Sequence, residues 1–228
     1  MAKKDILTFL NKEGVELFQM GKGKIGSCTY DTLYIKEDNS VVVSSGIEGK
    51  RCIAIINIEN KKVMETISMD TNICGMAIKG RTIYYSTWNG GLNMLNLSDK
   101  SASDINRIMC FVCYVATFGN KLYYTNYFTD TVTCCDLQGT TQWEFKDERV
   151  LKGPFGISVD NDGNVYVAGL GSINVMIISP DGHRHRQLLS SKDGLVQPKV
   201  LDYERSTNRL LVVNQSDTAF LFDVSREQ

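Results

Sequence analysis

Residues 153–190 read GPFGISVDNDGNVYVAGLGSINVMIISPDGHRHRQLLS, in which four short segments stand out: Phe155 to Asp160, Val165 to Ala168, Val175 to Ser179 and Gln187 to Ser190. The turns Asn161-Asp-Gly and Pro180-Asp-Gly separate them. Runs of β-branched and aromatic residues broken by Asn, Asp and Gly are strand-and-turn chemistry. No segment carries a helical period. The stretch therefore predicts a meander of four antiparallel strands.

The same grouping recurs along the chain. A turn followed by an apolar run appears as Asn39-Ser-Val-Val-Val, Arg81-Thr-Ile-Tyr-Tyr, Asn120-Lys-Leu-Tyr-Tyr, Gly163-Asn-Val-Tyr-Val and Asn208-Arg-Leu-Leu-Val. The first apolar residues, Val41, Ile83, Leu122, Val165 and Leu210, are spaced by 42, 39, 43 and 45. A second anchor keeps the period: Ile56-Asn57, Leu95-Asn96, Cys135-Asp136, Ile178-Ser179 and Phe222-Asp223. Four strands per repeat of this length is the signature of a β-propeller blade, whose sheet buries both faces only when neighbours stack on it.

The expected fold is thus an all-β propeller of four-stranded antiparallel blades, forming one domain over 1–228. Its units run over about 25–70, 71–109, 110–152, 153–195 and 196–228. Residues 5–20 match the third and fourth segments of a unit and supply the outer strands of a closing blade. The pattern gives five first, five second, six third and five fourth strands. That total fits five blades with one strand to spare, or six with one blade incomplete. Closure is expected from pairing of the N-terminal outer strand with the C-terminal inner ones, because open sheet edges invite aggregation.

Gly153-Pro-Phe-Gly-Ile-Ser-Val-Asp-Asn-Asp-Gly-Asn-Val-Tyr-Val-Ala-Gly169, with Asn174-Val-Met-Ile-Ile-Ser-Pro-Asp-Gly182, resembles an NHL repeat. Residues 206–214 and 218–224 are similar to the last blade of the NHL propellers that close tripartite-motif proteins. Units one to three depart from the pattern: Ile73-Cys-Gly-Met-Ala and Cys110-Phe-Val-Cys-Tyr stand where Pro-x-Gly-Ile would be expected. In that family a RING, a B-box and a coiled coil precede the propeller, which selects the partner to be ubiquitinated. No Cys/His spacing here fits a RING or B-box and no heptads appear. The resemblance thus implies the recruiting part of a ubiquitin-pathway protein, without catalysis of its own.

Composition narrows the partners. The 228 residues carry 25 Lys+Arg against 26 Asp+Glu, so no overall basic field draws the chain to DNA or anionic lipid. No apolar stretch is long enough to cross a bilayer, and Met1-Ala-Lys-Lys-Asp5 followed by a short apolar run does not lead one to expect a signal peptide. Seven cysteines, an odd number in a chain with its own core, point to a reducing compartment, and the cytoplasm is the expected location.

Five other patterns have plainer readings. Gly21-Lys-Gly-Lys-Ile-Gly26 matches a dinucleotide fingerprint, but a β-type segment follows it where a helix is required. Cys110, Cys113, Cys134 and Cys135 could supply four thiolates to zinc, but alternation along a strand sends Cys134 and Cys135 to opposite faces. His183-Arg-His-Arg186 reads as a charged outer strand protecting a blade edge. Asp160-Asn-Asp-Gly163 lacks the later acidic ligands of a calcium loop and reads as a turn. The only two histidines share that one basic stretch, far from a propeller's axis, which disfavours a histidine-based triad. No cofactor or metal is expected.

The loops between second and third strands are more suggestive: Thr87-Trp-Asn-Gly-Gly91, Thr125-Asn-Tyr-Phe-Thr129, Gly169-Leu-Gly-Ser172 and Val213-Asn-Gln-Ser216. Large aromatics at turn positions on a rigid rim are the usual anchors of a binding site. The expected partner-binding residues are Trp88, Asn89, Asn126, Tyr127, Phe128 and Asn214, and the expected partner is a protein. Single-stranded RNA is the alternative, with the rim aromatics stacking on bases and Lys152 and Lys199 meeting phosphates. A metal-dependent lactonase-like or esterase-like hydrolase is a further alternative and would need carboxylates at the inner-strand mouths.

Overall fold

The computed structural model describes residues 6–11, 14–21, 25, 28–46, 51–88, 90–106, 112–216 and 218–224. Among them are 21 strands, in the phases the repeat predicts. The first blade is β3 (Cys28–Ile35), β4 (Ser40–Gly46), β5 (Cys52–Asn57) and β6 (Lys62–Ser68). The second is β7 (Ile73–Lys79), β8 (Thr82–Thr87), β9 (Leu92–Asn96) and β10 (Ala102–Asn106). The third is β11 (Val112–Phe118), β12 (Lys121–Asn126), β13 (Thr131–Asp136) and β14 (Thr141–Lys146). The fourth is β15 (Pro154–Val159), β16 (Val165–Gly169), β17 (Asn174–Ile178) and β18 (His185–Leu189). The fifth has three strands, β19 (Pro198–Glu204), β20 (Arg209–Asn214) and β21 (Ala219–Asp223). A separate hairpin is formed by β1 (Ile6–Leu10) and β2 (Glu16–Gly21).

Every ladder is antiparallel and every blade is a meander, so the first strand of each lies innermost. The inner strands pack side by side in the order β3, β7, β11, β15, β19. No comparable packing joins β19 to β3 among the described residues. The expected closure is therefore corrected: β2 pairs with β1 alone, and neither strand hydrogen-bonds to the fifth blade. The reason is apolar burial. Leu7, Phe9, Phe18 and Met20 of the hairpin pack on Val41, Val43, Ala54 and Ile56, the free face of the first blade. The hairpin thus stands as a separate two-stranded sheet against blade one.

The core lies between blades, not inside any one of them. Val42, Ile53 and Ile83 join blades one and two, while Val132, Val167 and Met176 join three and four. Each such side chain is essentially solvent-free and contributes roughly 1.5–3 kcal/mol. Second strands buried on both faces require continuous apolar runs instead of alternation, which is why Val165-Tyr-Val-Ala-Gly169 is buried throughout. No helix among the described residues is long and apolar enough to cross a membrane.

One device repeats at the mouth of the ring. Near the start of each inner strand the pairing with the second strand slips, between Thr29 and Thr32, Ile73 and Met76, Val112 and Val115, Pro154 and Ile157, and Pro198 and Val200. A bulge strands a backbone N–H that must find another acceptor. In three blades a hydroxyl on the second strand accepts it: Ser44 from Asp31 at 3.1 Å, Ser86 from Gly75 at 3.0 Å and Thr125 from Tyr114 at 3.2 Å. The bulge turns the next side chains toward the rim.

Candidate partner-binding rim

The loops joining second to third strands, and those joining one blade to the next, emerge on the same rim. Trp88, Tyr127 and Phe128 sit there with 49%, 36% and 68% of their surface exposed. Each is held by its loop. The Trp88 N–H donates to the Asn72 carbonyl at 2.9 Å, and its ring lies 6.3 Å from that of Tyr30. The Tyr127 ring meets Phe128 edge-on at 5.3 Å and Phe155 at 6.2 Å. Phe155 in turn contacts Tyr114 at 5.2 Å, and the Lys199 ammonium lies 5.1 Å from its ring centre.

Backbone chemistry fixes this aromatic arc. Gly153 has φ +56° and a Cβ there would lie 2.9 Å from the Tyr127 ring, so only glycine lets Tyr127 lie on the chain. The Gly153 N–H donates to Asp130 at 2.6 Å, tying the Tyr127 loop to the linker into blade four. Thr125, fully buried, donates to the Phe155 carbonyl at 2.7 Å while accepting from Tyr114. Blades three and four therefore present Tyr127, Phe128 and Phe155 as one rigid unit.

Two expected site residues lie inside the rim instead of on it. Asn126 is 3% exposed, and its side-chain oxygen accepts the N–H groups of Phe128 (3.1 Å) and Thr129 (3.4 Å). Asn214 is 4% exposed; it accepts from Val196 at 3.0 Å and donates to the Gly194 carbonyl at 3.1 Å. Both are loop clamps, because a short amide at a strand end satisfies the turn's own backbone groups before it can reach solvent. Asn89 lies outside the described residues. Phe155, Tyr30 and Tyr114 do not stand out in the sequence; aligning the bulges places Tyr30, Cys74 and Phe155 in one position of the repeat.

Inside the ring, Asp31 accepts the Met76 N–H at 2.6 Å and the Thr32 N–H at 2.8 Å, linking β3 to β7. Burial pushes its carboxyl up to about 7, against the pull of those two bonds, and the charge of Asp202 on β19 adds to the rise. Asp202 is raised too, chiefly by burial, while the Ser158 hydroxyl at 3.4 Å favours its charged form. The two carboxylates thus share the channel.

The remaining patterns resolve into structure. Cys134 packs between blades three and four and Cys135 between two and three, on opposite faces of β13. Burial pushes the Cys135 thiol up to about 12. Cys110 lies outside the described residues, Cys113 is described in its backbone alone, and no cluster of metal-ligating side chains occurs among the described residues. Asp160 closes a turn, accepting from Asp162 at 2.9 Å and Asn164 at 2.8 Å. His185 and Arg186 lie on β18, the outer strand of blade four, and line a groove of about 590 Å³ with Tyr166 and Tyr203. Most of Gly21-Lys-Gly-Lys-Ile-Gly26 lies outside the described residues.

Fold and rim together define a β-propeller with an aromatic mouth. No family model matches the chain, and no curated protein is significantly similar to it in sequence. Solved structures do resemble it. A nidogen/laminin complex structure matches with a TM-score of 0.72 at 16% identity over 86% of this chain and 75% of the other. A streptogramin B lyase matches at 0.70 and 12% identity over 98% and 78%. A catalytically inactive virginiamycin B lyase from Staphylococcus aureus with quinupristin matches at 0.69 and 13% identity over 96% and 78%. These likenesses establish the propeller. They also correct the expectation of a chain without catalysis: the same architecture serves lyases, so it gives no ground for excluding an enzyme.

Proposed function

We propose that this propeller binds a protein partner through the rim formed by Trp88, Tyr127 and Phe128, backed by Phe155 and Tyr30. The observation that carries this reading is the exposure of three large aromatic rings on loops with fixed backbones, Trp88 bonded to the Asn72 carbonyl and Tyr127 and Phe128 pinned by Asn126, Asp130 and Gly153. Exposed aromatics on a rigid frame lose little entropy on binding and bury much apolar area, the profile of interface hot spots. The likeness of residues 153–169 to an NHL repeat supports a recruiting role of the tripartite-motif kind for this face. Partner capture by the intact chain should fall at least tenfold with Trp88→Ala/Tyr127→Ala/Phe128→Ala, at unchanged melting temperature. Equal capture by that variant would sink the reading. Capture of RNA instead, weakening steeply with salt, would assign the rim to nucleic acid.

A further inference from the structure

The first residue inside each inner-strand bulge is Tyr30, Cys74 and Phe155 in blades one, two and four, but Lys199 in blade five. Close packing of the strands brings that lysine to the rings. A Cβ on Gly156 would lie 2.8 Å from both the Lys199 carbonyl oxygen and the Leu201 nitrogen, so β19 approaches β15 at a distance that only glycine allows. The Lys199 ammonium then lies 5.1 Å from the centre of the Phe155 ring, half-buried. No carboxylate pairs with it among the described residues.

A second cation stands close by. Lys152 is exposed and precedes Gly153, against which the Tyr127 ring lies, and its carbonyl accepts the Gly171 N–H at 3.0 Å, so its backbone is fixed as well. It too has no carboxylate partner among the described residues. The acidic groups of the neighbouring loops are engaged elsewhere: Asp130 accepts the Gly153 N–H at 2.6 Å, Asp147 pairs with Arg149 at 2.7 Å and Asp193 caps the turn at Ser190. Three residues before Lys199, Val196 is 57% exposed, its N–H held by the Asn214 side chain at 3.0 Å. Lys199 is therefore a cation in a fixed place, without a counterion, bordered by the rings of blades three and four and by an exposed aliphatic side chain.

We infer that the partner presents an acidic side chain flanked by apolar ones, its carboxylate meeting Lys199 and Lys152 and its apolar residues covering Tyr127, Phe128, Phe155 and Val196. This rests on the rim being the protein-binding face and names the chemistry of the segment that binds there. A half-buried charge without a partner is unfavourable, and an incoming carboxylate offsets that penalty while fixing the register of the segment. The electron-rich face of Phe155 keeps the ammonium aimed. Two cations release too few counterions to hold a nucleic-acid backbone, whereas one carboxylate needs no more.

The probe comes from a random dodecapeptide phage library selected on the immobilised full chain, and the enriched peptide is titrated in fluorescent form by polarisation. Enriched sequences should carry Asp or Glu beside aromatic or aliphatic residues. Affinity should fall about tenfold with Lys152→Glu/Lys199→Glu and severalfold with Lys199→Gln, and Lys199→Arg should retain most of it. Exchanging the peptide's acidic residue for lysine should restore binding to the double glutamate variant, a rescue that a merely structural lysine would not give. Lys199→Gln decides alone should the double variant fail to melt cooperatively. Loss with Trp88→Ala/Tyr127→Ala/Phe128→Ala but not with the lysine variants would overturn this inference and leave the rim as the binding face; indifference to both sets would overturn the two together. Enrichment of basic or uncharged sequences, or no enrichment, would also overturn it. So would tighter binding of a single-stranded RNA dodecamer that the lysine variants abolish, which gives the cations to phosphates, and a dimer that Lys199→Glu dissolves, which gives the mouth to a second copy.

Discussion

Replacing Asp31 by asparagine should reshape the dependence of stability on pH. The folded carboxyl titrates near 7 against an ordinary 3.8, so the native chain keeps a proton that the unfolded chain releases. Stability from this group is fully present below about pH 4, declines as pH rises through 7 and is level above. Three pH units at 1.36 kcal/mol each set a ceiling of about 4 kcal/mol. Asp31 is half-buried beside the channel, so solvent screening reduces this to about 2 kcal/mol. The asparagine side chain carries no charge but keeps one acceptor oxygen, forfeiting one of the bonds to Met76 and Thr32 at a cost of about 1 kcal/mol. Urea unfolding should therefore find Asp31→Asn within a few tenths of a kcal/mol of the parent at pH 5 and about 1 kcal/mol more stable than it at pH 8. Asp202, raised in the same direction, leaves a residual slope of the same sign. Asp147, held low at about 2 by the Arg149 side chain, acts only below pH 4 and does not confuse the window. Parallel stability curves for the two proteins from pH 5 to 8 would refute the reasoning.

Three further outcomes follow from single contacts. Thr125→Val keeps the shape but orphans the Tyr114 N–H and the Phe155 carbonyl under the rim; chemical denaturation should register a loss of about 2–3 kcal/mol, and a loss below about 0.5 kcal/mol would mean water replaces the hydroxyl. Gly153→Ala combines a positive φ with a clash on Tyr127 and should cost about 1–2 kcal/mol while altering near-ultraviolet circular dichroism from tyrosine; an unchanged spectrum and stability would contradict the tight approach. Cys134 and Cys135 are buried, with both thiols pushed up by that burial, so they should react with a thiol reagent only at the unfolding rate, and fast labelling of the folded chain at pH 8 would disprove their burial.

The repeat was legible because each blade writes its four strands as Val-, Ile- and Tyr-rich runs between Asn, Asp and Gly turns. Two strands at residues 6–21 were legible as well. What escaped was where alternation fails. The bulge that turns Phe155 and Tyr30 onto the rim leaves no mark in a two-residue period, and the hydroxyls of Ser44, Ser86 and Thr125 look like ordinary strand residues until the repeats are aligned. Asn126 and Asn214 misled because a polar residue at a strand end reads equally as surface ligand or as loop clamp, and only the neighbouring N–H groups decide. Ring closure could not be read from strand counts, since pairing of β2 with β21 competes with packing of Phe9 and Phe18 on blade one, a tertiary choice made by burial.

The central claim, a partner seated on the aromatic rim, is tested most directly by placing a photo-crosslinking benzoylphenylalanine at Phe128 and, as a control, at Arg186 on the outer strand of blade four. The account predicts a discrete cross-linked protein from position 128 that Tyr127→Ala abolishes, and none from position 186. Cross-linking from 186 with none from 128 would contradict it.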